Sequence, residues 1–218
     1  MDMKIVMKTK IIKINPEFVK LGEIKMIARV LREESIIAYP TDTFYGLGAS
    51  CFSEKAIQRI YRLKKRKPSK ALSIMISDMD MVQDIANKIP SIFWKLADDF
   101  WPGSLTLVLK ASSGLPRILL GPKDSIGIRQ PALSWIRKLL SETAFPITAT
   151  SANISGEKEI ADPKKIIGSF SGKVDLIVDG GETRGILPST VIDLTFEKPV
   201  ILREGAVPRS LLGKYLER

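Results

Sequence analysis

The chain has 218 residues, of which 44% are hydrophobic, and it carries a formal net charge of +10 with no histidine and a single cysteine. Zinc sites of the usual Cys/His type are therefore excluded, as is Ser-His-Asp or Cys-His catalysis. No apolar run approaches the roughly 20 residues of a membrane span, and the charged N-terminus lacks a signal-peptide core. We therefore expect a cytoplasmic protein that does not contact a membrane.

Apolar runs of strand length alternate along the chain with segments of helical period. The predicted strands lie at 11–14, 36–39, 72–76, 105–110, 126–129, 147–150, 176–178, 191–194 and 200–203. The predicted helices lie at 18–31, after an N-cap at Ser53, and at 79–85, 92–100, 133–140 and 163–167. This alternation predicts an α/β fold, a single compact domain with a twisted mixed sheet flanked by helices. We expect its core to span about 12–208, with no additional C-terminal domain.

Four strings stand out because they combine hydroxyl groups or cations with the ends of apolar runs. They are YPTDTFYGLG (39–48), KKRKPSK (64–70), SANISG (151–156) and STVID (189–193). Hydroxyls and backbone N–H groups at strand ends, facing Lys and Arg, are the groups that hold an anionic nucleotide. The net charge of +10 is consistent with such a ligand, since a basic surface attracts nucleotides or nucleic acid.

Each string also has a purely structural interpretation. Asp42 suits an ordinary turn after a strand, and the cations suit a solvated helix end, where they complement the C-terminal dipole. The turn at 101–106 is expected to be a structural corner. The three separated arginines Arg66, Arg129 and Arg203 favour a converging site for an anion.

Taken together and in this order, the strings resemble the YrdC-like family, whose characterised members are L-threonylcarbamoyladenylate synthases. The resemblance covers nearly the whole chain, and further matching strings are FWPGSLTLVL (100–109), IGIRQP (126–131) and ILR (201–203). It implies an enzyme that joins L-threonine, bicarbonate or CO2, and ATP into threonylcarbamoyl-AMP and releases diphosphate. The product would serve the threonylcarbamoyladenosine modification of tRNA, through a downstream threonylcarbamoyl-transferase machinery.

The resemblance also implies roles for individual residues. Threonine would be held at Thr43, Arg129, Ala149 (through its backbone) and Ser189. ATP would be held at Arg66, Lys70, Ser125, Ser151 and Arg203, and Lys64 with Arg66 would form the catalytic basic motif. Mg²⁺ would accompany ATP, held mainly by the phosphates and by no dedicated protein ligands. The chain departs from the family pattern at Lys67, Ala71, Met75 and Glu159.

Two alternatives stay open at the level of sequence. One is a non-catalytic module that binds RNA, including double-stranded RNA, through its basic surface. The chain shows no interleaved run of aromatic residues for base stacking, which disfavours this alternative. The other is a YrdC-like paralogue of different activity. Binding of tRNA or other RNA by the outer lysines is also compatible with the synthase.

Overall fold

The structure is a computed structural model that describes residues 8–185 and 187–216. The strands are β1 (Lys10–Lys13), β2 (Ile37–Pro40), β3 (Tyr45–Gly48), β4 (Ser73–Met75), β5 (Ala86–Asn87), β6 (Leu105–Ala111), β7 (Ser125–Arg129), β8 (Ile147–Ser151), β9 (Leu176–Asp179), β10 (Thr190–Asp193) and β11 (Val200–Arg203). The α-helices are α1 (Leu21–Arg32), α2 (Glu54–Leu63), α3 (Asp80–Ile85), α4 (Ser91–Phe100), α5 (Ser134–Thr143), α6 (Pro163–Phe170) and α7 (Arg209–Leu216).

The strands form one continuous mixed sheet in the order β1-β9-β2-β3-β8-β4-β7-β6-β10-β11, with β5 paired to β6. Strand β8 lies at the middle of this order and pairs antiparallel with both β3 and β4. Parallel pairs such as β4–β7 and β6–β10 alternate with antiparallel pairs such as β6–β7 and β10–β11. The predicted single α/β domain with a mixed sheet is confirmed.

Alternate residues of the central strands feed two apolar cores on opposite faces of the sheet. Ile36 and Ala38 belong to one core, whereas Ile37 and Tyr39 belong to the other. Helices α1 and α5 pack together over the second face, each through an apolar stripe of helical period. Helices α2, α4 and α6 contribute their buried residues to the first core. The sheet is therefore covered on both sides.

The structure differs from the sequence prediction at several elements. Strand β3 lies within the string 39–48, where no strand was predicted after Tyr39. The short β5 and the helix α7 were not predicted. Helix α1 begins at Leu21 rather than at Phe18, whose side chain is 76% exposed. No helix in the described residues is long and apolar enough to cross a membrane.

Strand β3, which was not predicted, is held in the sheet by the burial of two of its side chains and by the close packing of its two glycines. Tyr45 and Leu47 are fully buried in the first core. The Tyr39 ring packs against Gly46 and Gly48, and a Cβ at Gly48 would lie 2.7 Å from the Tyr39 Cε1 atom. The two glycines therefore leave space for the Tyr39 ring. Glycine in a sequence usually indicates a turn, so a strand was not predicted here.

Candidate active site

A cleft of about 600 Å³ crosses the central strands of the sheet. Its volume is in the range of roughly 300–1,000 Å³ that is typical of small-molecule sites. The turn between β2 and β3 contributes to its walls, as do strands β4, β6, β7, β8, β10 and β11. The predicted site residues that line it are Thr43, Arg66, Ser125, Arg129, Ala149, Ser151, Ser189 and Arg203. Lys64 and Lys70 are not part of the lining.

Arg129, the last residue of β7, is 4% exposed and is held by three protein groups. Its Nε donates to the Gly103 carbonyl at 2.8 Å, and its Nη2 donates to the Asp42 carboxylate and to Ser104 Oγ at 3.2 Å. Ser104 Oγ in turn donates to Asp42 Oδ2 at 3.2 Å. Burial lowers the pKa of Arg129, and the Asp42 carboxylate opposes that shift. The guanidinium is therefore fixed in one orientation.

These contacts give functions to residues that the sequence prediction treated as structural. The turn at 101–106 supplies Gly103 and Ser104 to the Arg129 side chain, so it is more than a corner. Asp42 is the ion-pair partner of Arg129 and does more than cap a turn. No sequence signal links Asp42 to Arg129, because 87 positions separate them.

Small hydroxyl groups surround the end of the cleft near Arg129. Thr41 Oγ1 lies 3.0 Å from Thr43 Oγ1, and it also donates to the Phe44 carbonyl at 2.7 Å. Ser189 Oγ lies 2.9 Å from Thr106 Oγ1. Hydroxyls held in this way can donate to or accept from a polar ligand at fixed positions.

Arg203 connects this hydroxyl-lined end to the end of the cleft that contains Arg66, the cationic end. Its Nε and Nη2 donate to the Ser189 carbonyl at 3.1 and 2.8 Å, and Nη2 also donates to Ser189 Oγ at 3.1 Å. Burial lowers the pKa of Arg203, Glu159 raises it, and Arg129 and Arg66 lower it further. These mutual effects indicate that the three guanidinium groups converge on one cleft.

Arg66 is braced by the backbone that follows it. Its Nε donates to the Lys70 carbonyl at 2.9 Å, and its Nη2 donates to the Ala71 carbonyl at 2.7 Å. Tyr61 Oη donates to the same Lys70 carbonyl at 3.0 Å. The contribution of Lys70 in this structure is therefore its carbonyl group, since its side chain is exposed and lies outside the cleft lining.

Lys64 lies beneath the turn that follows β8 and does not open into the cleft. The side chain is buried, and its Nζ donates to the carbonyl of Ser151 and to both the carbonyl and Oδ1 of Asn153. The pKa of Lys64 is lowered to about 8, mainly by burial and also by the neighbouring Arg66 charge, while Glu159 opposes the shift. All three N–H donors of the ammonium are used by the protein, so this structure shows Lys64 in a positioning role, and the catalytic role expected for it stays a prediction.

Several cleft residues were not predicted. The Lys123 Nζ lies 4.1 Å from the centroid of the Phe196 ring, and both side chains line the cleft. Leu202 lines the same region and is 56% exposed. Lys123 and Phe196 lie outside the predicted strands and helices, whereas Leu202 lies in the predicted strand β11 but was not singled out as a site residue. Three of the four departures from the family pattern, Ala71, Met75 and Glu159, also line the cleft.

Proteins of related sequence match most of the length of this chain. A family model named Sua5/YciO/YrdC and described as telomere recombination matches residues 29–205. A Pyrococcus abyssi protein named threonylcarbamoyl-AMP synthase is 40% identical over 200 residues, which are 92% of this chain and 59% of that protein. A Methanocaldococcus jannaschii protein provisionally given the same name is 36% identical over 215 residues, 95% of this chain and 99% of that protein.

Solved structures show the same fold. The crystal structure of Pyrococcus abyssi Sua5 complexed with L-threonine superposes with a TM-score of 0.90 at 40% identity, covering 96% of this chain and 61% of that one. Escherichia coli YciO superposes with a TM-score of 0.87 at 29% identity, covering 95% of this chain and 100% of that one. This chain thus spans about three fifths of the Pyrococcus protein and the full length of others. Since the family model covers most of its length, the chain belongs to the Sua5/YciO/YrdC family.

Proposed function

We propose that this protein is a threonylcarbamoyl-AMP synthase, which joins L-threonine, bicarbonate or CO2, and ATP and releases diphosphate. The observation that carries the proposal is the direct connection between two ends of one cleft. Ser189, at the hydroxyl-lined end, accepts three hydrogen bonds from Arg203 at the cationic end. An amino acid and a nucleotide bound at these ends would meet. Relatives named as synthases and a Sua5 structure containing L-threonine support this reading.

The reaction needs little chemistry from side chains. The threonine amine and CO2 form a carbamate, whose oxygen attacks the α-phosphorus of ATP. The new carbamate O–P bond forms as the bond from that phosphorus to the diphosphate oxygen breaks, and diphosphate leaves. Such a transfer depends on positioning and on neutralising charge. In our proposal Arg129, Thr43 and Ser189 orient threonine, while Arg66 and Arg203 neutralise the phosphates.

The remaining predicted positions take supporting roles in this proposal. Ser125, Ala149 and Ser151 line the cleft, where they would contact ATP or threonine. Lys64 holds the Ser151–Asn153 turn in place. The exposed Lys70 ammonium would reach ATP only by moving into the cleft.

Mg²⁺ is proposed to arrive with ATP. Glu159 and Asp193 are the acidic residues that line the cleft, and one oxygen of Asp193 already accepts from the Thr195 amide at 2.8 Å. Within the described residues, no group of three or more Asp, Glu, His or Cys side chains could form a metal cage. This donor set fits a Mg²⁺ ion that keeps phosphate oxygens and water as most of its ligands. The ion would supply charge neutralisation at the phosphates.

We further propose that the product serves the threonylcarbamoyladenosine modification of tRNA in the cytoplasm, by way of a downstream transferase machinery. Direct binding of tRNA or other RNA would be a separate and weaker property of the basic surface.

The test is the release of diphosphate from ATP with threonine, bicarbonate and Mg²⁺ each omitted in turn. We expect release only in the complete mixture, together with a product that contains AMP and threonine. Equal release without threonine would contradict the synthase and favour a paralogue of different activity. No release under any condition, together with tight RNA binding, would favour the RNA-binding alternative.

A further inference from the structure

The three arginines of the cleft differ in how their charge is balanced. Arg129 forms an ion pair with Asp42, in which the two side chains are 5% and 12% exposed. Arg66 and Arg203 donate only to carbonyl and hydroxyl oxygens, and within residues 8–185 and 187–216 neither forms an ion pair. Among the described residues, a carboxylate therefore pairs directly with Arg129, whereas Arg66 and Arg203 have no carboxylate within ion-pair distance and Arg203 feels only the more distant charge of Glu159.

The contacts also limit which nitrogen of Arg129 can meet a ligand. A guanidinium has five N–H donors. The Nε donor is used by Gly103, and the two Nη2 donors are used by Asp42 and Ser104. Among the described residues, Nη1 has no hydrogen-bond partner. The two-nitrogen fork that a carboxylate usually meets is thus half occupied, and a contact between Arg129 and the threonine carboxylate would have to form through Nη1.

Asp42 holds this arrangement although part of its carboxylate is poorly satisfied. Its Oδ2 accepts from both Arg129 and Ser104, but its buried Oδ1 has no hydrogen-bond partner in the described part of the chain. A buried carboxylate oxygen without a donor is costly. A neutral side chain of similar shape would still bury an unpaired polar atom but would remove the cost of burying a charge, so the charge itself is the feature to be explained.

We propose that Asp42 is a specificity-determining residue that reserves the Arg129 end of the cleft for a carboxylate and directs polyphosphate to Arg66 and Arg203. The inference deepens the proposed function and rests on it. An uncompensated guanidinium would attract a triphosphate more strongly than a singly charged carboxylate, because the attraction grows with ligand charge. Compensation by Asp42 removes that advantage, while Nη1 keeps a directed hydrogen bond for the amino acid.

The experiment is a calorimetric titration of the full chain with L-threonine and with inorganic triphosphate, each alone and in the presence of the other. In the wild-type protein we expect the two ligands to bind without competing. In Asp42→Asn, we expect triphosphate to compete directly for the Arg129 end, so that the apparent threonine affinity measured in the presence of triphosphate falls at least tenfold. Asn keeps the shape of the side chain but not its charge. The matched control is Glu33→Gln, which removes one charge from the exposed pair with Arg29 and should change neither titration.

A second variant separates charge from folding. Asp42→Glu keeps the charge but shifts its position, so we expect weaker threonine binding without triphosphate competition. If both Asp42 variants titrate like the wild type, the inference is overturned. If the wild type binds no threonine, the synthase proposal fails, and the triphosphate stoichiometry then decides about Asp42. A second triphosphate site in Asp42→Asn would support the inference, and unchanged stoichiometry would overturn it.

Discussion

Each of the three cleft arginines is tied to a different structural element, so their substitutions should have different effects. Arg66 is braced by the backbone carbonyls at 70 and 71, Arg129 by a carboxylate and a turn, and Arg203 by Ser189. Only the Arg203 contacts join the two ends of the cleft. The pattern of lost affinities can therefore report which end each arginine serves.

Replacing Arg66 or Arg203 by Ala should weaken ATP binding by about 10- to 100-fold. A hydrogen bond to a charged group contributes about 1.5–3 kcal/mol, which corresponds to that range. Arg66→Ala should leave threonine affinity unchanged. Arg203→Ala should lower threonine affinity as well, because Ser189 loses three hydrogen bonds. Calorimetry with each ligand measures both effects, and unchanged ATP affinity in both variants would contradict the assignment.

Arg129→Lys should impair the use of threonine by at least about tenfold while sparing ATP affinity, as an ammonium cannot reproduce a planar guanidinium. The structure gives a further reason, because one ammonium cannot reach Gly103, Ser104 and Asp42 together. The Asp42 carboxylate would then be left buried without its usual partner. The dependence of turnover on threonine concentration is the measurement. A wild-type dependence would make Arg129 a structural residue.

Lys64 makes the turn after β8 sensitive to pH. Because the pKa of Lys64 is lowered from 10.5 to about 8, the ammonium loses a proton as the pH rises through about 8. A neutral amine has too few donors for its three acceptors, so we expect ATP affinity to fall in that range. Loss of the folded structure would not explain this fall in ATP affinity. The pKa of Lys64 is lower in the folded state than in the unfolded state, so its contribution to the free energy of unfolding rises between pH about 8 and 10.5.

ATP titrations at several pH values between about 7 and 9.5 test this prediction for Lys64. The control is Lys64→Met, which is similar in length and does not titrate. We expect it to bind ATP more weakly at every pH and without the step. A step of the same size in Lys64→Met would assign the pH dependence to another group.

At the scale of elements, the segment 180–185 is fixed to the turn between β2 and β3. Tyr45 Oη donates to the Gly181 carbonyl at 2.8 Å and accepts from the Gly180 amide at 3.1 Å. Burial raises the pKa of Tyr45 to about 12, so its hydroxyl stays protonated. Gly185 packs against the backbone of Thr43. A Cβ atom added at Gly185 would lie 1.8 Å from the Thr43 carbonyl oxygen.

Gly185→Ala should therefore displace either the segment or Thr43 and should weaken threonine binding by about tenfold, roughly 1.4 kcal/mol. Thermal unfolding and threonine titration measure the two consequences. The matched control is Gly168→Ala, at an exposed position of α6 where an added Cβ meets nothing within 4 Å. We expect that control to keep threonine affinity and to raise stability by about 0.5–1 kcal/mol. Equal threonine affinity in both variants would contradict the proposed contact.

Much of the fold could be predicted because its elements have clear periodicity. The apolar run of β6 and the amphipathic stripes of α1 and α2 are local signals. Strand β5 has two residues, which is too short for a period, and α7 begins after a loop without a capping pattern. The positions of the arginines in the cleft could be predicted by resemblance. The Asp42–Arg129 pair could not, because tertiary folding alone brings these residues together.

At the scale of the whole molecule, the net charge of +10 exceeds what one nucleotide requires. We expect weak RNA binding through exposed lysines such as Lys65 and Lys67, without sequence preference, falling steeply with salt as counterions are released. ATP turnover should depend less on salt, since its contacts lie within a cleft. A salt series with a tRNA and an unrelated duplex compares the two.

The double variant Lys65→Glu/Lys67→Glu should lose RNA binding and retain ATP turnover. Its matched control is Lys25→Glu/Lys138→Glu, which changes the net charge equally on the helices α1 and α5. If RNA is not bound even at low salt, the surplus charge serves only solvation. A strong preference for one tRNA at physiological salt would favour the RNA-binding alternative.

Strand β8 joins the two halves of the sheet that form the walls of the cleft. Without β8 the sheet order separates into β1-β9-β2-β3 on one side and β4-β7-β6-β10-β11 on the other. Thr43 belongs to the first group of strands, whereas Arg129, Ser189 and Arg203 belong to the second. Docking of β8 closes long loops and therefore comes at a large entropic cost. A chain in which β8 has not yet docked has two half-sites and no enclosed cleft, so affinity for threonine and for ATP should appear together, in the same late step of refolding.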